Sequence, residues 1–312
     1  AWFADLGPFA GDHAVLTYVN FDDGGAGFVN AFYSPLDLDG EGVGHDPGYF
    51  VFGEFTDVTG DPMDDLSRDP SIAIHEYTHM VVDQDGHSFG DAPVDWPPRA
   101  VNEALADFAA ASMLRDPKVG HAFMTHSAAD IGLPGQNALR DLRDEVTLPD
   151  DLESSLGESG LPQEHTATIF GAALWRAKTG GLKKAASQIV LGDLGEWPLS
   201  TAEVGYPTVT EANAADAYAA YYYACFQAMA DLAQGDGTDK TGQRQATALR
   251  GAFMSHGIAG TTPSTVYTLD AAEIGMATRL SGAFLGSIDE HVFQLELAEG
   301  QSVKLVAKGA SG

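Results

Sequence analysis

Apolar and polar positions alternate near the start of the chain. Residues 13–20 (HAVLTYVN) and 27–34 (GFVNAFYS) carry a strand pattern, and Asp22-Asp23-Gly24-Gly25 between them is a turn signal. A third apolar stretch, Tyr49 to Phe55, follows a loop rich in Gly and Asp. Together they predict a β-rich lobe over residues 1–70. From residue 71 the pattern turns helical: Asp69 suits an N-cap, Pro70 fits the first turn and Gly86 stands as a stop. A second helical stretch begins at Asn102, with Pro97-Pro98 before it and Asp116-Pro117 after it. A third opens at His165 and stops at Gly180-Gly181, and residues 210–233 and 240–256 read as closing helices. This assigns residues 71–260 to a helical lobe. Beyond it, residues 261–275 read as a Thr/Pro/Ser linker. Alternation over Val292–Leu297, a Glu299-Gly300 turn and Ser302–Ala307 then predict a C-terminal β segment over 276–312. The fold class is α+β.

Two stretches carry chemistry. The first holds H-E-x-x-H, with His75, Glu76 and His79. Side chains four apart share a helix face, so His75 and His79 can reach one ion. Glu76 lies about 100° round the helix, where it is placed to act on water rather than to join the ligands. A catalytic zinc site needs three protein ligands and an open position. Glu103 and Asp107, again four apart, supply the candidates: one carboxylate binds the ion while the other accepts the N–H of a ligating histidine. A metzincin would need Gly and His three and six residues after His79, but Val82 and Asp85 stand there.

H-E-x-x-H followed by N-E-A-x-x-D resembles the gluzincin peptidases, among them thermolysin and the fungalysins. The likeness runs over about residues 28–260 and is densest from 71 to 180. It implies a two-lobed fold, β-rich then helical, with the active-site helix between the lobes. It implies one catalytic zinc on His75, His79 and Glu103, with Glu76 as general base and Asn102 and Asp107 orienting the ligands. Asn30-Ala31-Phe32-Tyr33 is similar to the family's edge strand that pairs with an extended substrate, so Asn30 and Ala31 are candidate substrate contacts. Arg140, in Asn137–Leu142, matches an arginine that contacts a substrate carbonyl, and His165 matches a histidine that donates to the tetrahedral intermediate. The chain departs from the family at two points. Val94, Asp95 and Trp96 occupy the region of a family tyrosine, and no carboxylate stands at the usual place before His165, leaving Glu158 and Glu164 as candidate partners. The C-terminal segment resembles the opening of a pre-peptidase C-terminal β-sandwich.

Composition narrows the setting. The 312 residues are 44% hydrophobic and 20% charged, enough for a full core. Asp and Glu number 45 against 16 Lys and Arg, a net charge of −29 that repels nucleic acid and anionic membranes. Cys225 stands alone, so no intrachain disulfide forms. The most apolar run, Ala214–Ala233, is broken by Asp216, Gln227 and Asp231 and reads as a buried helix, not a membrane span. A start at Ala1-Trp2 without Met suggests a mature or excised fragment. Acidic clusters at Asp61–Asp69 and Asp83–Asp91 are candidate Ca2+ sites, although neither has EF-hand spacing. The expectation is a secreted zinc endopeptidase acting on peptides or proteins. The alternatives are a gluzincin aminopeptidase and an inactive metal-binding interaction module; the intact Glu76 favours a hydrolase.

Overall fold

A computed structural model gives the architecture. It describes residues 16–21, 30–35, 48–56, 62–84, 96–128, 133–152, 162–192, 194–210, 212–235, 240–258, 266–269 and 292–295. The chain is mixed α+β, mostly helical, with small sheets, and divides into two compact units, Ala1–Ala259 and Gly260–Gly312.

In the first unit, strands β1 (Leu16–Phe21), β2 (Ala31–Ser34), β3 (Tyr49–Thr56) and β4 (Pro62–Asp65) form one sheet. The turn signal after β1 leads to an expectation that β1 and β2 are neighbours. They are not: β3 lies between them, parallel to β1 and antiparallel to β2. β3 is apolar on both faces, with Phe50, Val51 and Phe52 all buried, which suits a central strand. Among the described strands β2 lies on an edge.

Helix α1 (Pro70–Gln84) follows at once. The Asp69 carboxylate accepts the Ser71 N–H at 2.9 Å and its carbonyl accepts from Ile72 and Ala73, both at 3.1 Å, which is N-capping. The other carboxylate oxygen accepts the Phe123 N–H at 2.9 Å, and Ser71 Oγ accepts the Gly120 N–H at 2.7 Å. The cap thus also ties α1 to the start of α3 (His121–Ser127). Helix α2 (Trp96–Leu114) begins six residues before Asn102, and Pro97 and Pro98 lie inside its first turn rather than ahead of it. The reason is that first-turn N–H groups have no helical partner, so proline removes nothing there.

After α2 a short ribbon pairs β5 (Lys118–Val119) with β6 (Arg140–Asp141). Helices α4 (Pro162–Ala177), α5 (Ala186–Leu191), α6 (Ala214–Gln234) and α7 (Lys240–Ser255) complete the unit. Among the described residues two apolar clusters hold it together. Phe50 and Phe52 of the sheet pack with Ile72 and Met80 of α1 and with Phe123 and Met124 of α3. Val82 of α1 instead joins Leu105 and Phe108 of α2 and the residues of α4, α6 and α7. Helix α1 therefore contributes to both clusters, sheet-side and helix-side. The second cluster centres on Phe170, whose ring meets Tyr222 at 4.9 Å, Phe253 at 5.1 Å and Trp197 at 6.3 Å. Cys225 is buried in it as a free thiol. Among the described residues no helix is long and apolar enough to cross a membrane.

In the second unit, β7 (Val266–Leu269) pairs in parallel with β8 (Val292–Leu295). β7 falls inside the stretch expected as linker. The Ser302–Ala307 segment lies outside the described residues.

Candidate metal centre

The i, i+4 spacing on α1 sets the imidazoles of His75 and His79 side by side, ring centroids 4.6 Å apart and nearly perpendicular. Packing of α2 against α1 brings in Glu103. Its Oε2 is 3.1 Å from His75 Nε2 and its Oε1 is 3.6 Å from His79 Nε2, while the two Nε2 atoms are 3.0 Å apart. All three donors lie within 4.8 Å of one another, and among the described residues this is the one such group of His, Cys, Asp and Glu. Ligand atoms of a tetrahedral site with bonds of about 2.0–2.2 Å stand roughly 3.3–3.6 Å apart, so the three donors are close enough to hold one metal ion.

The protonation pattern also calls for a cation. His75 Nδ1–H donates to Asp107 Oδ1 at 2.8 Å, and His79 Nδ1–H donates to Asn102 Oδ1 at 3.1 Å. With both protons on Nδ1, both Nε2 lone pairs face each other and the Glu103 carboxylate. Such an arrangement is repulsive until a positive charge sits among the three. A proton on His75 is one such charge, and the two carboxylates beside the ring favour it. Burial pushes His75 down, but the Asp107 and Glu103 carboxylates outweigh it and lift the imidazole to about 10. Burial raises Glu103, yet the neighbouring His79, His75 and Arg140 bring it well below the usual carboxylate range. The Glu103 side chain is 26% exposed against 7% for His75, so the cluster is open on the Glu103 side.

Glu76 sits beside this cluster on the same helix and is 5% exposed. Burial raises its carboxyl, opposed chiefly by His75 and His79. Its Oε2 accepts the backbone N–H of Tyr33 at 3.0 Å, so the edge strand β2 reaches the site. The Gly53 N–H donates to Asn30 O at 2.9 Å, which makes Asn30 and Gly53 a hydrogen-bonded pair. By antiparallel alternation the backbone groups of Ala31, like those of Tyr33, then point away from β3. Asn30 is exposed, and Ala31 and Tyr33 are half-buried.

Arg140 reaches the cluster through the β5–β6 ribbon, which turns back along the end of α2. It grips Asp107 rather than solvent: Nε donates to Oδ2 at 2.5 Å and Nη2 to Oδ1 at 2.8 Å. That partner was not legible in the sequence, where Asp141, Asp144 and Glu145 are the nearer acids. The Tyr33–Glu76 bond was equally invisible, being a backbone contact across 43 positions. His165 falls in the first turns of α4, which packs on α2, but its side chain and that of Glu164 lie outside the description, as does Glu158. Of the acidic clusters, Asp69 is committed to the α1 cap and Asp83 accepts from Tyr33 Oη at 3.0 Å; the residues from 85 to 91 lie outside the described set. Compared with protein-family models and with curated protein sequences, the chain finds no match in either.

Proposed function

We propose that this chain is a zinc-dependent endopeptidase. The observation that carries the reading is the buried Glu76 carboxylate set between a three-donor cluster with an open side and an edge strand at hydrogen-bond distance. His75, His79 and Glu103 would hold the ion, with Asp107 and Asn102 orienting the two imidazoles. Bound there, zinc supplies a Lewis acid that lowers the pKa of water toward neutrality and polarises a carbonyl. Glu76 then takes a proton from the attacking water and returns it to the departing amine, a role that suits a carboxyl raised by burial. An extended peptide lies along the outer edge of β2, where Ala31 offers backbone groups for strand addition. His165 is assigned the developing oxyanion on the strength of the sequence resemblance. The same resemblance, with the acidic composition, supports an extracellular setting.

The test is Glu76→Gln, with metal analysis and a peptide-library digest. The native chain should bind one zinc and cut within peptides. The variant should keep the zinc and lose hydrolysis by more than the ~10²–10⁴ of ordinary general acid–base help. Native-like turnover by the variant refutes the reading. Trimming from free amino ends alone would redirect it to an aminopeptidase, and a metal-loaded chain without hydrolysis to a binding module.

A further inference from the structure

We infer that Tyr33 is a positioning residue for Glu76, clamping strand β2 onto helix α1 at two points; the inference rests on the hydrolase reading above. One tyrosine makes both contacts. Its backbone N–H donates to Glu76 Oε2 at 3.0 Å, and its phenol donates to Asp83 Oδ2 at 3.0 Å. Glu76 and Asp83 are seven residues apart, two helical turns, so they share one face of α1 about 10 Å apart along the axis. The backbone and the ring tip of Tyr33 therefore bracket two turns of the helix that carries the metal-ligating histidines.

The ring between these contacts is held from its other side. Gly48 lies against it with φ +78°, and a Cβ there would meet Tyr33 Cε2 at 2.7 Å and Ser34 O at 2.3 Å. Only glycine accepts both that backbone conformation and that approach. The Phe50 ring packs at 5.6 Å. Burial, with Asp83 adding to it, pushes the phenol well above its ordinary range, so it remains a donor at neutral pH. An edge strand is the least constrained strand of a sheet, since one row of its backbone groups lacks a strand partner. Here the phenol–Asp83 bond supplies the missing constraint. It fixes the height of β2 over α1, and with it the direction in which the Glu76 carboxylate points. A base displaced by a fraction of an ångström loses rate steeply.

The test uses Tyr33→Phe, Asp83→Ala and Asp83→Asn in the zinc-loaded full chain. Tyr33→Phe and Asp83→Ala should each lower kcat by about 10-fold or more, with KM changed less than about 2-fold and zinc stoichiometry unchanged. Combined, they should lose clearly less than the sum of the two, because they share one contact. Asp83→Asn keeps an acceptor oxygen for the phenol and should restore most of kcat. A second arm needs no activity: amide hydrogen exchange at position 33 should speed up by at least about 10-fold in Tyr33→Phe, while the Phe32 amide, which faces β3, keeps its protection. Unchanged exchange at position 33, or kcat losses that add in the double variant, overturns the clamp. Full turnover by Glu76→Gln overturns the hydrolase reading instead, and the exchange arm then decides the clamp alone.

Discussion

Arg140 and Asp107 form a two-bond pair inside the protein, and the Asp107 oxygen that takes Arg140 Nη2 also takes the Nδ1–H of His75. Asp107 is wholly buried and the Arg140 side chain is 10% exposed. The pair thus fixes His75 from behind, and a guanidinium read from the sequence as a substrate contact holds the carboxylate that orients this candidate ligand. Arg140→Met should leave that carboxylate buried with two N–H donors fewer. Losing one partner of a buried pair costs about 3–5 kcal/mol, so urea unfolding should register the change strongly. If stability is unchanged while kcat/KM falls by ~10-fold or more, the guanidinium serves substrate rather than Asp107.

Metal retention separates Glu103 from Asp107. Glu103→Ala removes a direct donor and should leave the chain without stoichiometric zinc after dialysis. Asp107→Asn keeps an acceptor for His75 but loses the negative charge, and zinc affinity should fall about 10–100-fold in a chelator competition. Equal retention by both variants would contradict the geometry.

A pH effect is expected at a residue outside the candidate metal cluster. His256 is 3% exposed; its Nδ1–H donates to Val146 O at 2.7 Å, while its carbonyl accepts the Leu148 N–H at 3.0 Å. Burial lowers its pKa, with the Arg176 charge adding to the effect and the Val146 carbonyl and Glu145 opposing it. The folded value thus lies below the unfolded one, near 6.5. The unfolded chain binds the proton first, so the stability due to neutral His256 is full above that pH and drains away as pH falls toward the folded value. His256→Asn keeps a donor without a titration. Its stability relative to the native chain should improve between about pH 7 and pH 5, measured by urea unfolding at each pH. A constant difference across that window would show that His256 does not titrate differently on folding.

Phe170 is fully buried where α4 meets α6 and α7. Phe170→Ala should cost about 3–5 kcal/mol, the transfer of the ring plus the cavity it leaves. Zinc stoichiometry of the folded fraction should persist, since the Phe170 ring packs against Trp197, Tyr222 and Phe253. Loss below about 1 kcal/mol would mean that the site collapses around the gap.

What the chain determined locally is what repeats with the period of a helix. Spacing alone put His75 and His79 on one face, set Glu76 to the side, and marked Asp69 as a cap, because each depends only on backbone geometry over a turn or so. The same spacing put Glu103 and Asp107 on one face without saying which would meet the Nε2 pair. The packing of α2 on α1 decided that: Glu103 lies against the Nε2 atoms and Asp107 behind His75 at its Nδ1. The order of the sheet, with β3 between β1 and β2, was likewise set by long-range pairing and not by the turn signal after β1. The partners of Arg140 and Tyr33 belong to the same class. Arg140 crosses 33 positions to Asp107 and Tyr33 crosses 43 to Glu76. Local periodicity specifies direction from an element's axis. Which charges meet depends on how the elements pack, and only the folded core sets that.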